Sequence, residues 1–301
     1  MRSSWRFKTT VSFSILVAYY LVVLALPLLT GCSKEKEVPD VSQIQVPLSI
    51  ERWDQQIFEL QSKQEVADFL TNNPIFSQQF LQVDQYPHDS LAVNYLHAFI
   101  KNPGSSVLQQ EIQQVFGDLG QLEEKLSEAF KFLKYYYPEI DLPRVSTAVT
   151  GFAGNDLYVS DSIIVIGLDY YLGEGATFRP LDFPRYILKR YQPEYVVPSI
   201  VLLWSSGLNK TNVQDNSMLA EMVHFGKAYH FASHVLPHTP DSLLIGYSAE
   251  DLINVSQNQD VIWSHFVDKQ LLYETSHFTK KKYICLLYTS DAADEDCLVG
   301  V

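Results

Sequence analysis

The stretch that decides the predicted fold is VSTAVTGF (residues 145–152), followed by LYV (157–159) and IIVI (163–166). These three runs consist largely of β-branched and aromatic residues, which favour strands. Gly151, the pair Gly154-Asn155 and the pair Asp161-Ser162 separate them in the manner of turns. The pattern predicts a small antiparallel sheet in the middle of the chain.

Helical periodicity surrounds this stretch on both sides. Between residues 49 and 137, apolar residues recur at spacings of three and four, as in Trp53, Ile57 and Leu60. Helical patterns resume beyond Gly173, over residues 184–190, 193–204, 217–236 and 257–273, with prolines where helices are expected to begin or end. We therefore expect an α+β fold, a mostly helical single domain over residues 49–284.

The N-terminus carries an export signal that ends in LTGC (residues 29–32). A basic start and an apolar stretch precede this run, as in secretory signals, and the run resembles a bacterial lipobox. Cleavage before Cys32 makes residues 1–31 a lipoprotein signal peptide and leaves Cys32 to carry acyl chains such as palmitate. Polar residues 32–48 then form a flexible tether. The alternative is an uncleaved N-terminal membrane helix, because the apolar stretch could nearly span a bilayer.

The charge of the mature chain restricts its partners. The whole chain has a formal net charge of −13, and residues 1–31 hold three basic residues and no acidic one. The mature chain therefore has 19 basic against 35 acidic residues, a net charge of −16. Such a chain is a poor ligand for nucleic acid or for an anionic bilayer, so membrane attachment is expected to come from the lipid on Cys32.

The C-terminal run CLLYTSDAADE (residues 285–295) looks like a translated sequencing adaptor. We expect residues 285–301 to be an artefact of this kind, with the native sequence of a C-terminally truncated domain ending near Ile284. The alternative is an ordinary acidic tail. Under the first interpretation Cys285 and Cys297 have no functional role, and Cys32 is the single native cysteine.

The pair His230 and His234 is the strongest candidate for a metal site. The two residues are four apart on a predicted helix and share a face, with Glu221 as a possible carboxylate ligand. The residue after His230 is Phe231, so the glutamate of the zinc motif His-Glu-x-x-His is missing. We predict no metal, no cofactor and no catalytic residue here, and the alternative is a zinc hydrolase that uses this pair.

The run IGLDYYLG (residues 166–173) joins the predicted sheet to the second helical half. Asp169 lies between apolar neighbours just after a strand, where it could coordinate a ligand or cap a helix. The simpler interpretation is that Asp169 satisfies nearby backbone groups. Neighbouring tyrosines, Tyr170 and Tyr171 among them, are expected to pack in the core.

Several runs together resemble the gliding motility lipoprotein GldB family of Bacteroidota. They are the lipobox, IGLDYYLG (166–173), PRYI (184–187), PEYVVP (193–198), GKAYHF (226–231), Leu236-Pro237, Ile262-Trp263 and KQLLY (269–273). The resemblance implies a lipid-anchored protein of the inner or outer membrane with its body in the periplasm. It also implies a role in gliding and an association with the type IX secretion machinery.

The same resemblance implies a distant likeness to zincin-type peptidases. Their His-Glu-x-x-His helix would correspond to Val196–Trp204, a segment with no histidine and no ionisable side chain. The helix around Glu221 would correspond to the one that carries their third ligand. We therefore expect a degenerate zincin-like, non-enzymatic scaffold whose partners are other gliding and secretion proteins of the envelope.

Overall fold

The central sheet is mixed, which corrects the prediction of an antiparallel sheet. The computed structural model describes residues 38–180, 183, 185–210, 212 and 214–283. Within them four strands lie in the order β1-β2-β4-β3, and only β3 and β4 are antiparallel. The strands are β1 (Ile50–Arg52), β2 (Arg144–Ala148), β3 (Leu157–Val159) and β4 (Ile163–Gly167).

The topology explains why the antiparallel prediction was wrong. From β2 the chain crosses to β3 at the edge of the sheet and returns as β4, which inserts between β2 and β3. The strand β4 therefore runs parallel to β2, with Val145 opposite Ile164. On the other side β1 is also parallel to β2, because a crossover through five helices separates the two strands.

Helices make up most of the described chain, as predicted for an α+β fold. They are α1 (Trp53–Glu59), α2 (Lys63–Asn72), α3 (Asp89–Lys101), α4 (Pro103–Phe116), α5 (Gly120–Tyr136), α6 (Arg185–Leu188), α7 (Val196–Leu208), α8 (Met218–Val235), α9 (Asp241–Ile245), α10 (Ala249–Gln257), α11 (Gln259–Asp268) and α12 (His277–Lys281). A π-helix (Ile75–Phe80) and 3₁₀ turns at Val83–Gln85, Leu168–Tyr171, Pro193–Tyr195 and Leu271–Tyr273 complete them. No helix among the described residues is long and apolar enough to cross a membrane.

The alternation of side chains along β4 divides the core into two halves. Ile163 and Val165 face a cluster formed with α1, α2, α3 and the π-helix. Ile164 and Ile166 face the opposite cluster, which is formed with α4, α5, α7 and α8. Because successive strand residues point to opposite faces, this fully apolar run requires helices on both faces of the sheet.

The segment before β1 is partly attached to the folded body. Residues from Asp40 onward belong to one compact unit, and Val46 and Leu48, inside the predicted tether, pack against the α5–α7–α8 side of the core. The predicted signal peptide, Cys32 and the predicted adaptor tail lie outside the described residues.

Candidate functional site

A buried carboxylate clamps a loop at one edge of the sheet. Because β2 and β4 are parallel, their carboxyl ends meet at the same edge, where the loop of residues 150–156 follows β2 and Asp169 follows β4. Asp169 Oδ2 accepts three hydrogen bonds, from the backbone N–H groups of Thr150 (3.1 Å), Gly151 (2.9 Å) and Phe152 (3.1 Å). Asp169 therefore holds the loop that follows the neighbouring strand.

The backbone of this loop is shaped to present successive N–H groups to one anion. Gly151 has φ +68° and Phe152 has φ +66°, both in the left-handed region. Consecutive N–H groups in such a turn form a concave anion-binding nest. In this protein the anion is the carboxylate of Asp169, so the strain at Phe152 is stabilised from within the chain.

The other oxygen of Asp169 is buried without a hydrogen-bond partner among the described residues, and so is Thr150 Oγ1. Burial raises the pKa of Asp169, while the three N–H donors oppose that rise. The three N–H donors stabilise the negative charge at Oδ2, whereas burial destabilises the charged form of the whole carboxyl group. Within the described part of the chain, this centre is thus only partly hydrogen-bonded.

Two tyrosines fasten the same loop through their hydroxyl groups. Tyr95 on α3 donates to the backbone oxygen of Thr150 at 2.9 Å, and Tyr170 donates to that of Gly154 at 2.9 Å. Burial raises the pKa of Tyr95 to about 12 and also raises that of Tyr170, so both phenols remain protonated donors at neutral pH. The prediction that the tyrosines pack in the core holds for Tyr170, which is buried, and its hydroxyl also binds the loop.

A second aspartate, Asp156, lies at the end of the same loop and is hydrogen-bonded to two tyrosines. Asp156 Oδ2 accepts a hydrogen bond from Tyr171 (3.3 Å), and its side chain is also hydrogen-bonded to Tyr191. The backbone oxygen of Asp156 accepts from Gly167 N at 2.8 Å. Burial raises the pKa of Asp156, although the two phenol donors oppose the rise. We refer to the loop 150–156 with Asp169, Tyr95, Tyr170, Tyr171 and Tyr191 as the aspartate clamp.

The hydrogen bonds of the aspartate clamp hold its parts together. Its ionisable groups are carboxyls and phenols that bond to the backbone or to one another, and it contains no serine or cysteine nucleophile paired with a histidine. Gly154 illustrates how closely the parts fit, because a Cβ at this position would lie 2.5 Å from the backbone oxygen of Phe80. The clamp therefore fixes the relative positions of β2, β4 and the π-helix.

The predicted metal candidates do not converge. The rings of His230 and His234 are adjacent, with centroids 4.4 Å apart, and His234 Nδ1 lies 2.8 Å from the backbone oxygen of His230. Glu221 is nine residues earlier on α8, about 13 Å along the helix axis, and its carboxylate contacts Lys280 instead. The part of the chain that the structure describes contains no group of three or more residues able to hold a metal ion.

Two further histidines near this pair in the sequence, His224 and His238, have other neighbours. His224 is next to Asn209, whose Nδ2 lies 3.2 Å from the ring nitrogen and 2.9 Å from the backbone oxygen. His238 Nε2 lies 3.7 Å from a carboxylate oxygen of Glu128.

Comparison with known proteins identifies the family. The family model described as gliding motility protein GldB matches residues 34–297, most of the chain. The chain belongs to the GldB family. This family is designated as one of lipoproteins, which agrees with a lipid-anchored protein of the cell envelope. No curated protein and no solved structure matches the chain.

In this GldB-family chain, α7 occupies the centre of the larger core half. Its residues from Val196 to Leu202 are all buried, and Trp204 packs edge-on against Phe130 of α5 with ring centroids 5.5 Å apart. The resemblance implied that the zinc-binding helix of peptidases would correspond to this segment. In this chain the segment carries mainly apolar side chains. The likeness to zincins remains a prediction, as does the adaptor origin of the tail.

Proposed function

We propose that this GldB-family protein is a non-enzymatic scaffold that works in gliding motility while anchored to a membrane through acylated Cys32. Its partners are other envelope proteins of the gliding apparatus and of the type IX secretion machinery. The folded body lies in the periplasm, is joined to the lipid by the tether, and binds these partners through its surface.

One observation carries the proposal. The run IGLDYYLG (166–173) is the longest of those that carry the family resemblance, and it supplies residues of the aspartate clamp. Its Asp169 is buried and accepts hydrogen bonds from three backbone N–H groups. At this edge of a parallel sheet, enzymes commonly place side chains that face a ligand. Here those side chains face the protein's own backbone, which supports a structural role for the motif.

The charge and the anchor support the same proposal. A mature chain of net charge −16 is repelled by anionic lipid, so stable residence at the membrane requires the acyl chains of Cys32, of which two or more suffice. A Cys32→Ser protein is expected to lose acylation and stable membrane anchoring. The corresponding strain is expected to lose surface spreading.

Metal analysis of the mature chain tests the non-enzymatic part. We expect zinc far below one equivalent in the purified protein, and the same content in His230→Ala/His234→Ala. His88→Ala, which removes an exposed histidine elsewhere, is the matched control. One equivalent of zinc that is lost only in the double variant, together with loss of spreading in that strain, would overturn the scaffold proposal in favour of a hydrolase.

A further inference from the structure

A cleft opens at the amino ends of β1 and β2, at the opposite end of the sheet from the aspartate clamp. Its volume is about 650 Å³, within the range in which proteins bind small ligands. Residues 47–49 and Glu51 line it from the first strand, residues 142–145 line it from the second, and Phe130 lines it from α5. We call this cleft the strand notch.

The sequence explains why the two strands separate here. Their pairing begins where Ile50 lies opposite Val145. Continuing this register toward the amino ends places Leu48 opposite Pro143, and Pro47 is one residue further from the ladder. Because proline has no backbone N–H, each strand lacks a donor with which to extend the ladder. The two prolines therefore end the sheet and leave the strand notch between the chains.

One side of the strand notch is apolar. Val145 and Phe130 belong to the larger half of the core, and Leu48 and Leu142 pack against it. An apolar group that enters the notch would contact these side chains and lose its contact with water, which is favourable. Ser49 at the margin is small and exposed, so it leaves the entrance open.

Two exposed side chains of opposite charge, Glu51 and Arg144, also line the strand notch. Glu51 lies opposite Ser146, two residues after Arg144, so both charged residues are on the same face of the sheet. Neighbouring strands are about 4.8 Å apart and a strand rises about 3.3 Å per residue, which places the two Cα atoms about 8 Å apart.

These two charges are not paired with each other. The guanidinium of Arg144 makes no hydrogen bond or ion pair with another described residue, whereas Arg52 nearby is paired with Asp54 at 2.8 Å. The carboxylate of Glu51 accepts one hydrogen bond, from Ser146 Oγ at 3.3 Å. The strand notch thus offers a cation and an anion to a ligand that carries both charges.

We propose that the strand notch binds a short zwitterionic peptide of two or three residues with a large apolar side chain. Arg144 pairs with the peptide carboxylate, Glu51 pairs with its ammonium group, and the apolar side chain enters the notch. An extended peptide spans about 3.3–3.6 Å per residue, so the ends of such a peptide are about 7–11 Å apart and can reach both charges. A single amino acid is too short, and the end of a longer chain brings only one charge. This binding activity goes beyond the proposed scaffold function and does not rest on it.

The test uses the whole mature chain, residues 32–301, with Cys32→Ser to keep it free of lipid. The ligand is the tripeptide Ala-Leu-Ala with free ends, titrated in saturation-transfer NMR. We expect saturable binding with a Kd of about 0.1–1 mM, as for a ligand of this size. Acetylating the amine or amidating the carboxylate should each weaken binding about two- to fivefold. Ala-Ser-Ala should bind at least about tenfold more weakly.

Variants assign each end of the peptide to one residue. In Arg144→Gln the amidated and the free peptide should bind equally, and in Glu51→Gln the acetylated and the free peptide should bind equally. Ser49→Trp fills the entrance from an exposed position and should weaken binding at least about tenfold. Arg179→Gln, which removes an exposed arginine elsewhere, is the matched control and should bind as the parent does. Far-UV circular dichroism confirms that each variant folds.

Four results would overturn the proposal. The first is the absence of saturable binding, and the second is equal binding of capped and free peptides by the parent chain. The third is binding that Ser49→Trp leaves unchanged. The fourth is binding that appears only after deletion of residues 33–39, because the tether would then be the occupant. None of these results bears on the zinc content or on the Cys32→Ser strain, so the scaffold proposal is tested separately.

Discussion

Replacing Asp169 tests the aspartate clamp most directly. Asp169→Ala removes the acceptor of three backbone N–H groups at 2.9–3.1 Å. A buried donor left without a partner costs about 1–3 kcal/mol. Thr150 is buried, but Gly151 and Phe152 are half-buried and can recruit water. The lower part of the range therefore applies, and we expect the free energy of unfolding to fall by about 3–5 kcal/mol.

Asp169→Asn separates the hydrogen bonds from the charge. The amide keeps one oxygen in the place of Oδ2, so the three N–H groups retain an acceptor, while the new NH₂ replaces an oxygen without a partner among the described residues. We expect a loss below about 1 kcal/mol: a neutral acceptor binds the donors less strongly than a carboxylate, but the amide avoids the desolvation of a buried charge that raises the pKa of Asp169.

Urea denaturation at pH 7, followed by far-UV circular dichroism, measures these changes. Asp161→Ala is the matched control: Asp161 is exposed in the turn between β3 and β4, and its replacement should change the free energy of unfolding by less than about 0.5 kcal/mol. If Asp169→Ala stays within about 1 kcal/mol of the wild type, or Asp169→Asn is as damaging as Asp169→Ala, the clamp does not hold the loop as argued.

Three further predictions concern stability. Gly154→Ala, at φ +108° with its new Cβ 2.5 Å from a backbone oxygen, should cost about 2–4 kcal/mol in urea denaturation, whereas Gly175→Ala, in open space, should be neutral. Lys280→Met leaves Glu221 unpaired at 25% exposure and should lower the melting temperature, with a cost of about 2–3 kcal/mol; adding Glu221→Gln should recover most of it. Burial raises the pKa of Asp169 in the folded state. The contribution of the protonated side chain to the free energy of unfolding is therefore fully present below the ordinary pKa of aspartate and is lost as the pH rises through the folded-state pKa. The urea midpoint of the wild type should thus fall relative to that of Asp169→Asn above about pH 4, and a constant difference from pH 4 to 8 would contradict this.

The strands were predictable because their signal is local, and their pairing was not. The β-branched runs at 157–159 and 163–166 coincide with β3 and most of β4. Turn residues indicate that two strands are joined, but they do not say whether the second strand lies beside its predecessor or inserts next to an earlier one. The strand β1 is three residues long and lies directly before α1, so the helical periodicity around Trp53 concealed it.

The candidate site shows the same division between local and long-range information. Because Asp169 lies between apolar neighbours after a strand, the sequence indicated that its carboxylate binds a polar partner. Its partners Thr150, Gly151 and Phe152 lie 17 to 19 residues earlier, so the expected satisfaction of nearby backbone groups is in fact the clamping of a separate loop. The two consecutive left-handed residues, Gly151 and Phe152, could not be predicted, because phenylalanine gives no sign of a positive φ.

The aspartate clamp indicates which residues the function of this chain depends on. The clamp lies at the edge where many parallel sheets bind ligands. Asp169 Oδ2 and the hydroxyl groups of Tyr95 and Tyr170 bond there to the backbone of the loop 150–156, which fixes the loop against the sheet. Function in this chain should therefore be more sensitive to the removal of Asp169, which holds the loop 150–156, than to the removal of His230 and His234.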